Sequence, residues 1–212
     1  MDDLLEENAV LDHWTLKLKI IKHPLLYIAQ IIKTIGCRPN QITLTGFLIG
    51  LGTLPALIFQ NYWLALVCIL VNRIFDGLDG ALARITEVSD GGAYLDIVLD
   101  FIFYSLVVFG FALADPEANS LAACALLFSF IGTGSSFLAF AILAERRGIH
   151  SIIYPHKGIY YLGGLTEGTE TILCFVLFCL FPGYFPILAF CFAGLCFLTT
   201  FSRVFSGFQT LR

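Results

Sequence analysis

The stretch 92–114, GAYLDIVLDFIFYSLVVFGFALA, decides the fold. It is long enough to cross the hydrocarbon core of a bilayer, which takes about 20 largely apolar residues in a helix. Its only charged side chains are Asp96 and Asp100. Runs of the same kind lie on either side of it, and together they leave no room for a soluble domain. Across 212 residues the chain is 58% hydrophobic and 13% charged, with a mean hydropathy of +0.86, too apolar for a water-soluble protein of this size. The expected fold is an all-α integral membrane protein with six transmembrane helices, at 41–59, 62–84, 92–114, 119–144, 159–181 and 184–207.

An acidic segment with Asp2, Asp3, Glu6, Glu7 and Asp12 precedes these spans. Trp14, Leu18, Ile21, Leu25, Ile28 and Ile32 then recur at alternating steps of four and three, with Lys17, Lys19, Lys22 and Lys33 mostly off that stripe. This pattern predicts an N-terminal amphipathic helix lying in the membrane interface, kinked at Pro24. The organisation is thus an acidic N-terminus and amphipathic helix over 1–40 and a six-helix transmembrane domain over 41–212. No basic region precedes a short apolar stretch and a cleavage site, so no removable signal peptide is expected.

Asn61, Asp115-Pro116-Glu117 and Phe181-Pro182-Gly183 mark turns on one side of the membrane. None of them contains a basic residue. Lys17, Lys19, Lys22, Lys33, Arg38, Arg73, Arg84, Arg146, Arg147, Lys157, Arg203 and Arg212 fall on or toward the other side. The positive-inside rule makes that side cytoplasmic, with both termini and the loops 85–91 and 145–158. The seven cysteines show no metal-type spacing and sit in apolar runs, where they serve as small packing residues. The formal charge of −4 says little about partners, and no nucleic-acid partner is expected.

Asp76, Asp79, Arg84, Asp96 and Asp100 lie within or at the ends of spans two and three, where a charge facing lipid costs on the order of 3 kcal/mol. They must face an interior or a polar cavity. Asp76 and Asp79 are three apart and Asp96 and Asp100 four apart, so each pair shares one face of its helix. The short loop between the spans puts both pairs at the same, cytoplasmic end. Four converging carboxylates repel unless protons or a cation compensate them. All-oxygen ligation favours Mg²⁺ or Mn²⁺, and four acids suffice for two ions. Gly77, Gly80, Ala81 and Ala83 interleave the acids and leave room for a ligand's phosphates or sugar.

The run Asp76-Gly77-Leu78-Asp79-Gly80-Ala81-Leu82-Ala83-Arg84, followed by Gly92-Ala93-Tyr94-Leu95-Asp96-Ile97-Val98-Leu99-Asp100, resembles the signature of the CDP-alcohol phosphotransferases, D-x2-D-G-x2-A-R-x8-G-x3-D-x3-D. One departure exists: only residues 85 to 91 separate Arg84 from Gly92, which shortens a loop and leaves the spacing on each helix intact. The resemblance implies a membrane transferase in which an acceptor hydroxyl attacks the phosphorus nearer the alcohol of a CDP-alcohol and expels CMP. It implies Asp76, Asp79 and Asp96 as metal ligands, with Asp100 as general base and further metal ligand. It implies that Gly80, Ala83 and Arg84 seat the cytidine nucleotide, and that the protein is a homodimer. CDP-diacylglycerol with a polar alcohol such as glycerol phosphate, inositol phosphate or serine is the first choice of substrates, in the inner membrane of a bacterium. A CDP-linked headgroup given to diacylglycerol is the runner-up.

Other residues keep two readings each. Glu167 and Glu170 either line an acceptor pocket or end a helix. Arg146, Arg147, His156 and Lys157 either bind an anionic group or set topology. Arg203 either snorkels or meets a phosphate. Asn40, Thr43 and Thr45 suit N-capping of span one or nucleotide contact. Gly132, Gly134, Ser135 and Ser136 form a helix-packing patch, within the chain or between two copies. A cation transporter is the rival class, though it would place acids near mid-membrane and show internal repeats.

Overall fold

The computed structural model describes residues 24–149 and 165–212, and these are helical with no strands. The acidic start, the first turns of the amphipathic stripe, and His156 and Lys157 lie outside the described residues. The helices are α1 (24–34), α2 (Pro39–Leu51), α3 (Thr53–Ile58), α4 (Tyr62–Ile85), α5 (Asp90–Ala114), α6 (Pro116–Arg146), α7 (Gly168–Leu180) and α8 (Phe185–Leu211).

Local chemistry sets the boundaries. Between α2 and α3, Pro55 lacks the N–H that would bond one turn back, and the helical bonding falters at Gly52 while its angles stay helical (φ −60°, ψ −18°). Asn61 opens α4 by accepting from Leu64 N–H at 3.1 Å. Asp115 opens α6 by accepting from Ala118 N–H at 3.1 Å, with Pro116 at the first helical position. Ser89 Oγ accepts from Gly92 N–H at 3.1 Å and starts α5. Span one does not open on an Asn40 cap. Asn40 already lies inside α2, and the end is tied instead by Arg38 N–H donating to Gln41 Oε1 at 2.9 Å. Thr43 and Thr45 bond back to the carbonyls of Pro39 and Gln41, the usual use of a threonine hydroxyl inside a helix.

The chain forms two compact units. Among the described residues one comprises 24–50 together with 70–100. Its core is Ala29, Ile42, Leu78, Ala81 and Leu82, flanked by Leu25, Ile32, Phe75 and Ile85. On α1 the inward face runs Leu25, Ala29, Ile32, so Ala29 takes the place expected of Ile28, which is exposed along with Tyr27 and Ile31. Gly36 ends α1 with φ +81°, the left-handed angle that glycine tolerates. Lys33 Nζ then donates to the terminal carbonyl of α4, Ile85 O, at 2.8 Å.

The second unit comprises 51–69, 101–149 and 165–212. Its centre is aromatic: Phe111 stacks on Phe185 at 4.7 Å, and Phe178 meets both rings edge-on. Such arrangements add to the burial of large side chains. α6 packs along α8, where a side chain at Gly132 would press on Thr200 and one at Gly134 on the Phe101 ring. These two glycines therefore serve packing within the chain. Buried Asn119 donates to Phe111 O at 2.8 Å, and buried Thr166 and Thr199 bond each other at 2.9 Å.

Among the described residues four helical stretches are long and apolar enough to cross a membrane: Pro39–Ile58, Asp90–Ala114, Pro116–Arg146 and Pro182–Leu211. Leu121, Ile131, Phe201 and Phe208 on α6 and α8 are exposed, as lipid-facing side chains are. α4 matches them in length but carries Arg73, Asp76, Asp79 and Arg84 from its midpoint onward. α7 is a shorter apolar helix that starts at Gly168, where Glu167 and Glu170 build a capping box; 159–164 of the expected span lie outside the described residues.

Candidate active site

The second half of α4 and the first turns of α5 carry all four acids of the sequence pattern. Helical spacing sets each pair on one face, and the four-residue connection 86–89 keeps both pairs at one end. Asp76, Asp96 and Asp100 each bring a carboxylate oxygen within 4.8 Å of the others. Asp79 completes the set. It is 5% exposed and its Oδ2 is buried without a hydrogen-bond partner. All four line a narrow crevice of about 10 Å³ with Thr43, Gly46, Phe47, Asn72, Arg73 and Leu99.

A hollow of that size holds about one water or ion. Its lining sets four carboxylates against one guanidinium. A buried carboxylate oxygen with no donor is costly, and a hard cation would satisfy it while compensating the excess negative charge. The donor set, all oxygen and mostly anionic, fits Mg²⁺ or Mn²⁺.

Arg73, expected only as a topological charge, is the cation of this crevice. Its Nη2 donates to Asp100 Oδ1 at 2.7 Å, and its Nη1 stands 3.7 Å from Asp76 Oδ2. Nε and Nη2 both reach Asn72 Oδ1, at 2.9 and 2.5 Å. Asn72 Nδ2 in turn donates to Gly46 O at 3.0 Å. Gly46 is required there, since a side chain would start 2.5 Å from Phe75 Cβ. The sequence held a signal for Arg73 in its i, i+3 spacing to Asp76; Gly46 and Asn72 left none.

Gly80, Ala83 and Arg84 follow on α4 outside the crevice lining. The Arg84 guanidinium lies over Gly80, 3.6 Å from where a Cβ would stand, and remains exposed. At the start of α5 a Cβ on Gly92 would come within 3.0 Å of Asn40 Oδ1, which accounts for glycine at that motif position.

The second unit holds a cavity of about 170 Å³ lined by Phe101, Tyr104, Phe137, Glu167, Arg203 and neighbours. Arg203 does not snorkel. It is 7% exposed, donates to Thr133 O at 3.2 Å and lies 5.5 Å from the Phe137 ring centre. Glu170 accepts from Glu167 N–H at 2.9 Å and is spent on the cap of α7. Arg147 donates to the terminal carbonyl Leu211 O of α8, while Arg146 is exposed in the last turn of α6.

The sequence profile of the CDP-alcohol phosphatidyltransferases matches residues 37–201. The chain belongs to that family. It is therefore a transferase of substituted phosphate groups, and the transporter alternative falls away. Over 190 residues it is 58% identical to the inner membrane protein YnjF of Escherichia coli, covering 89% of this chain and 92% of that one. Over 94 residues it is 40% identical to the archaetidylinositol phosphate synthase of Pyrococcus horikoshii, covering 44% of this chain and 50% of that one. Its fold matches that of the Mycobacterium tuberculosis phosphatidylinositol phosphate synthase, solved with CDP-DAG bound, with a TM-score of 0.64 at 19% identity over 86% of this chain and 92% of that one. The same synthase has also been solved in complex with manganese and citrate, again with a TM-score of 0.64, at 18% identity over 87% of this chain and 88% of that one.

Proposed function

We propose that this transferase moves a phosphatidyl group from CDP-diacylglycerol to the hydroxyl of a small polar alcohol, releasing CMP, with Mg²⁺ or Mn²⁺ held by Asp76, Asp79, Asp96 and Asp100. The observation that carries the reading is the acid crevice, with three carboxylate oxygens within 4.8 Å of one another beside the unpartnered buried Asp79 Oδ2. Family membership and the fold shared with a synthase that takes CDP-DAG support the choice of donor.

When bound, one or two such ions supply neutralisation of the diphosphate and of the charge that gathers on the departing CMP. The remaining work belongs to side chains. Asp100 takes the proton of the acceptor hydroxyl as its oxygen attacks the phosphorus nearer the diacylglycerol. The bond from that phosphorus to the bridging oxygen of CMP breaks. Gly80, by lacking a side chain, together with Ala83 and Arg84, seats the cytidine nucleotide on α4.

α4 and α7 join the four longer stretches as spans five and six, the acid crevice and both termini face the cytoplasm by the distribution of basic residues, and the enzyme resides in the inner membrane as a homodimer. α1 lies on the membrane interface, and the domain over 41–212 does the chemistry. Purified protein given CDP-diacylglycerol with glycerol 3-phosphate, inositol 1-phosphate or serine, and analysed by mass spectrometry, tests the function. One phosphodiester product with equimolar CMP supports it, and no CMP with any of these acceptors overturns it.

A further inference from the structure

Arg73 makes contacts more directed than charge compensation needs. Its side chain is 15% exposed. Neighbouring positions on a helix do not face each other, yet the guanidinium curls back so that Nε and Nη2 both bond Asn72 Oδ1. The same Nη2 donates to Asp100 Oδ1 at 2.7 Å across to α5. Asn72 is 4% exposed and fixed by its bond to Gly46 O on α2. A continuous set of hydrogen bonds thus runs from the backbone of α2 through Asn72 and Arg73 to one oxygen of Asp100. Bonds of this charged, geometrically fixed kind orient a carboxylate as well as attract it.

We propose that Arg73, held by Asn72, is a positioning residue for the transfer reaction: it fixes the Asp100 carboxylate in the orientation from which Asp100 accepts the proton of the acceptor hydroxyl. The inference rests on the reading of Asp100 as the base. Three other carboxylates surround Asp100 and repel it, and a bound cation would attract it. A restraint on Oδ1 keeps the group aimed at the hydroxyl. A base must lie in hydrogen-bond reach and alignment with the proton it takes, and a misplacement of about 1 Å can cost on the order of a hundredfold in rate.

The test uses the full chain in detergent as wild type, Arg73→Gln and Arg73→Lys, with monodispersity and thermal unfolding recorded first. Mn²⁺ binding is followed by electron paramagnetic resonance. CMP release from CDP-diacylglycerol is measured with whichever of glycerol 3-phosphate, inositol 1-phosphate or serine the wild type uses. Arg73→Gln is expected to lower kcat by about 10- to 100-fold with KM for CDP-diacylglycerol within about threefold. Its Mn²⁺ binding is expected to stay as tight or become tighter, because loss of a neighbouring positive charge removes a repulsion on the cation. Arg73→Lys is expected to fall between the two, since an ammonium keeps the charge but not the fork that bonds Asn72 and Asp100 together. Wild-type kcat in Arg73→Gln overturns the inference. So does a joint loss of kcat, Mn²⁺ binding and donor affinity, the signature of a merely structural counter-charge. If Arg73→Gln does not fold, Arg73→Lys decides: reduced kcat at unchanged Mn²⁺ affinity supports the inference and wild-type kcat overturns it. A wild type that binds no Mn²⁺ and releases no CMP defeats the donor and metal reading itself, and the assignment of Arg73 with it.

Discussion

Replacing Gly46 by alanine perturbs the site without touching a charged group. The new Cβ would stand 2.5 Å from Phe75 Cβ and 3.2 Å from its Cγ. Ordinary contact begins near 3.4 Å, so α2 and α4 must part by roughly 1 Å at this point, and Phe75 cannot relieve the clash by rotating, because its Cβ is fixed to the backbone. Overpacking of this kind costs about 1–3 kcal/mol. The same displacement lengthens the 3.0 Å bond from Asn72 Nδ2 to Gly46 O, worth about another 0.5–1.5 kcal/mol. The total of roughly 1.5–4.5 kcal/mol corresponds to a fall of roughly 3–18 °C in Tm for a chain of this length. Thermal unfolding of the detergent-solubilised protein, followed by circular dichroism, measures it. Mn²⁺ binding to the same sample should weaken, since Gly46 and Asn72 line the crevice with the four acids. A Tm within 1 °C of wild type would refute the claim that α2 and α4 are locked together at this glycine.

The other predictions concern chemistry and placement. Asp100→Asn should lower CMP release by about 10²- to 10⁴-fold, the range for loss of a general base, while equilibrium binding of CDP-diacylglycerol stays nearly unchanged; Asp76→Asn should weaken both. Loss of donor binding in Asp100→Asn would instead make that residue primarily a ligand. On a background lacking the seven native cysteines, a cysteine in place of exposed Val88 should resist a membrane-impermeant thiol reagent in intact cells, and one in place of Glu117 should react. External labelling at 88 would invert the proposed topology.

The sequence disclosed most where one physical rule acts alone. Helix length and apolar composition located α5, α6 and α8, because nothing competes with the bilayer over such runs. The spacing of Asp76, Asp79, Asp96 and Asp100 was enough to foresee their convergence, since a helix repeats every 3.6 residues whatever surrounds it. Legibility failed where tertiary contacts decide. Arg73 counts equally as a topological charge or a site residue until Asp100 is seen 2.7 Å away. Gly46 looks like any glycine of an apolar helix until Phe75 is seen against it. Two further signals stand in the sequence itself: Pro55, inside the expected span 41–59, interrupts the helix after Leu51, and the Glu167-x-x-Glu170 spacing matches a capping box as well as an acceptor pocket.

The most direct test of the metal-dependent transferase is a Mn²⁺ titration of the purified protein by electron paramagnetic resonance, paired with CMP release from CDP-diacylglycerol before and after chelation. Wild type should bind Mn²⁺ saturably, lose turnover in excess chelator and regain it when Mn²⁺ or Mg²⁺ is restored. Asp79→Asn, which neutralises the carboxylate whose oxygen is buried without a partner, should bind Mn²⁺ weakly or not at all. Turnover undiminished in excess chelator, or full Mn²⁺ binding by Asp79→Asn, would contradict the account.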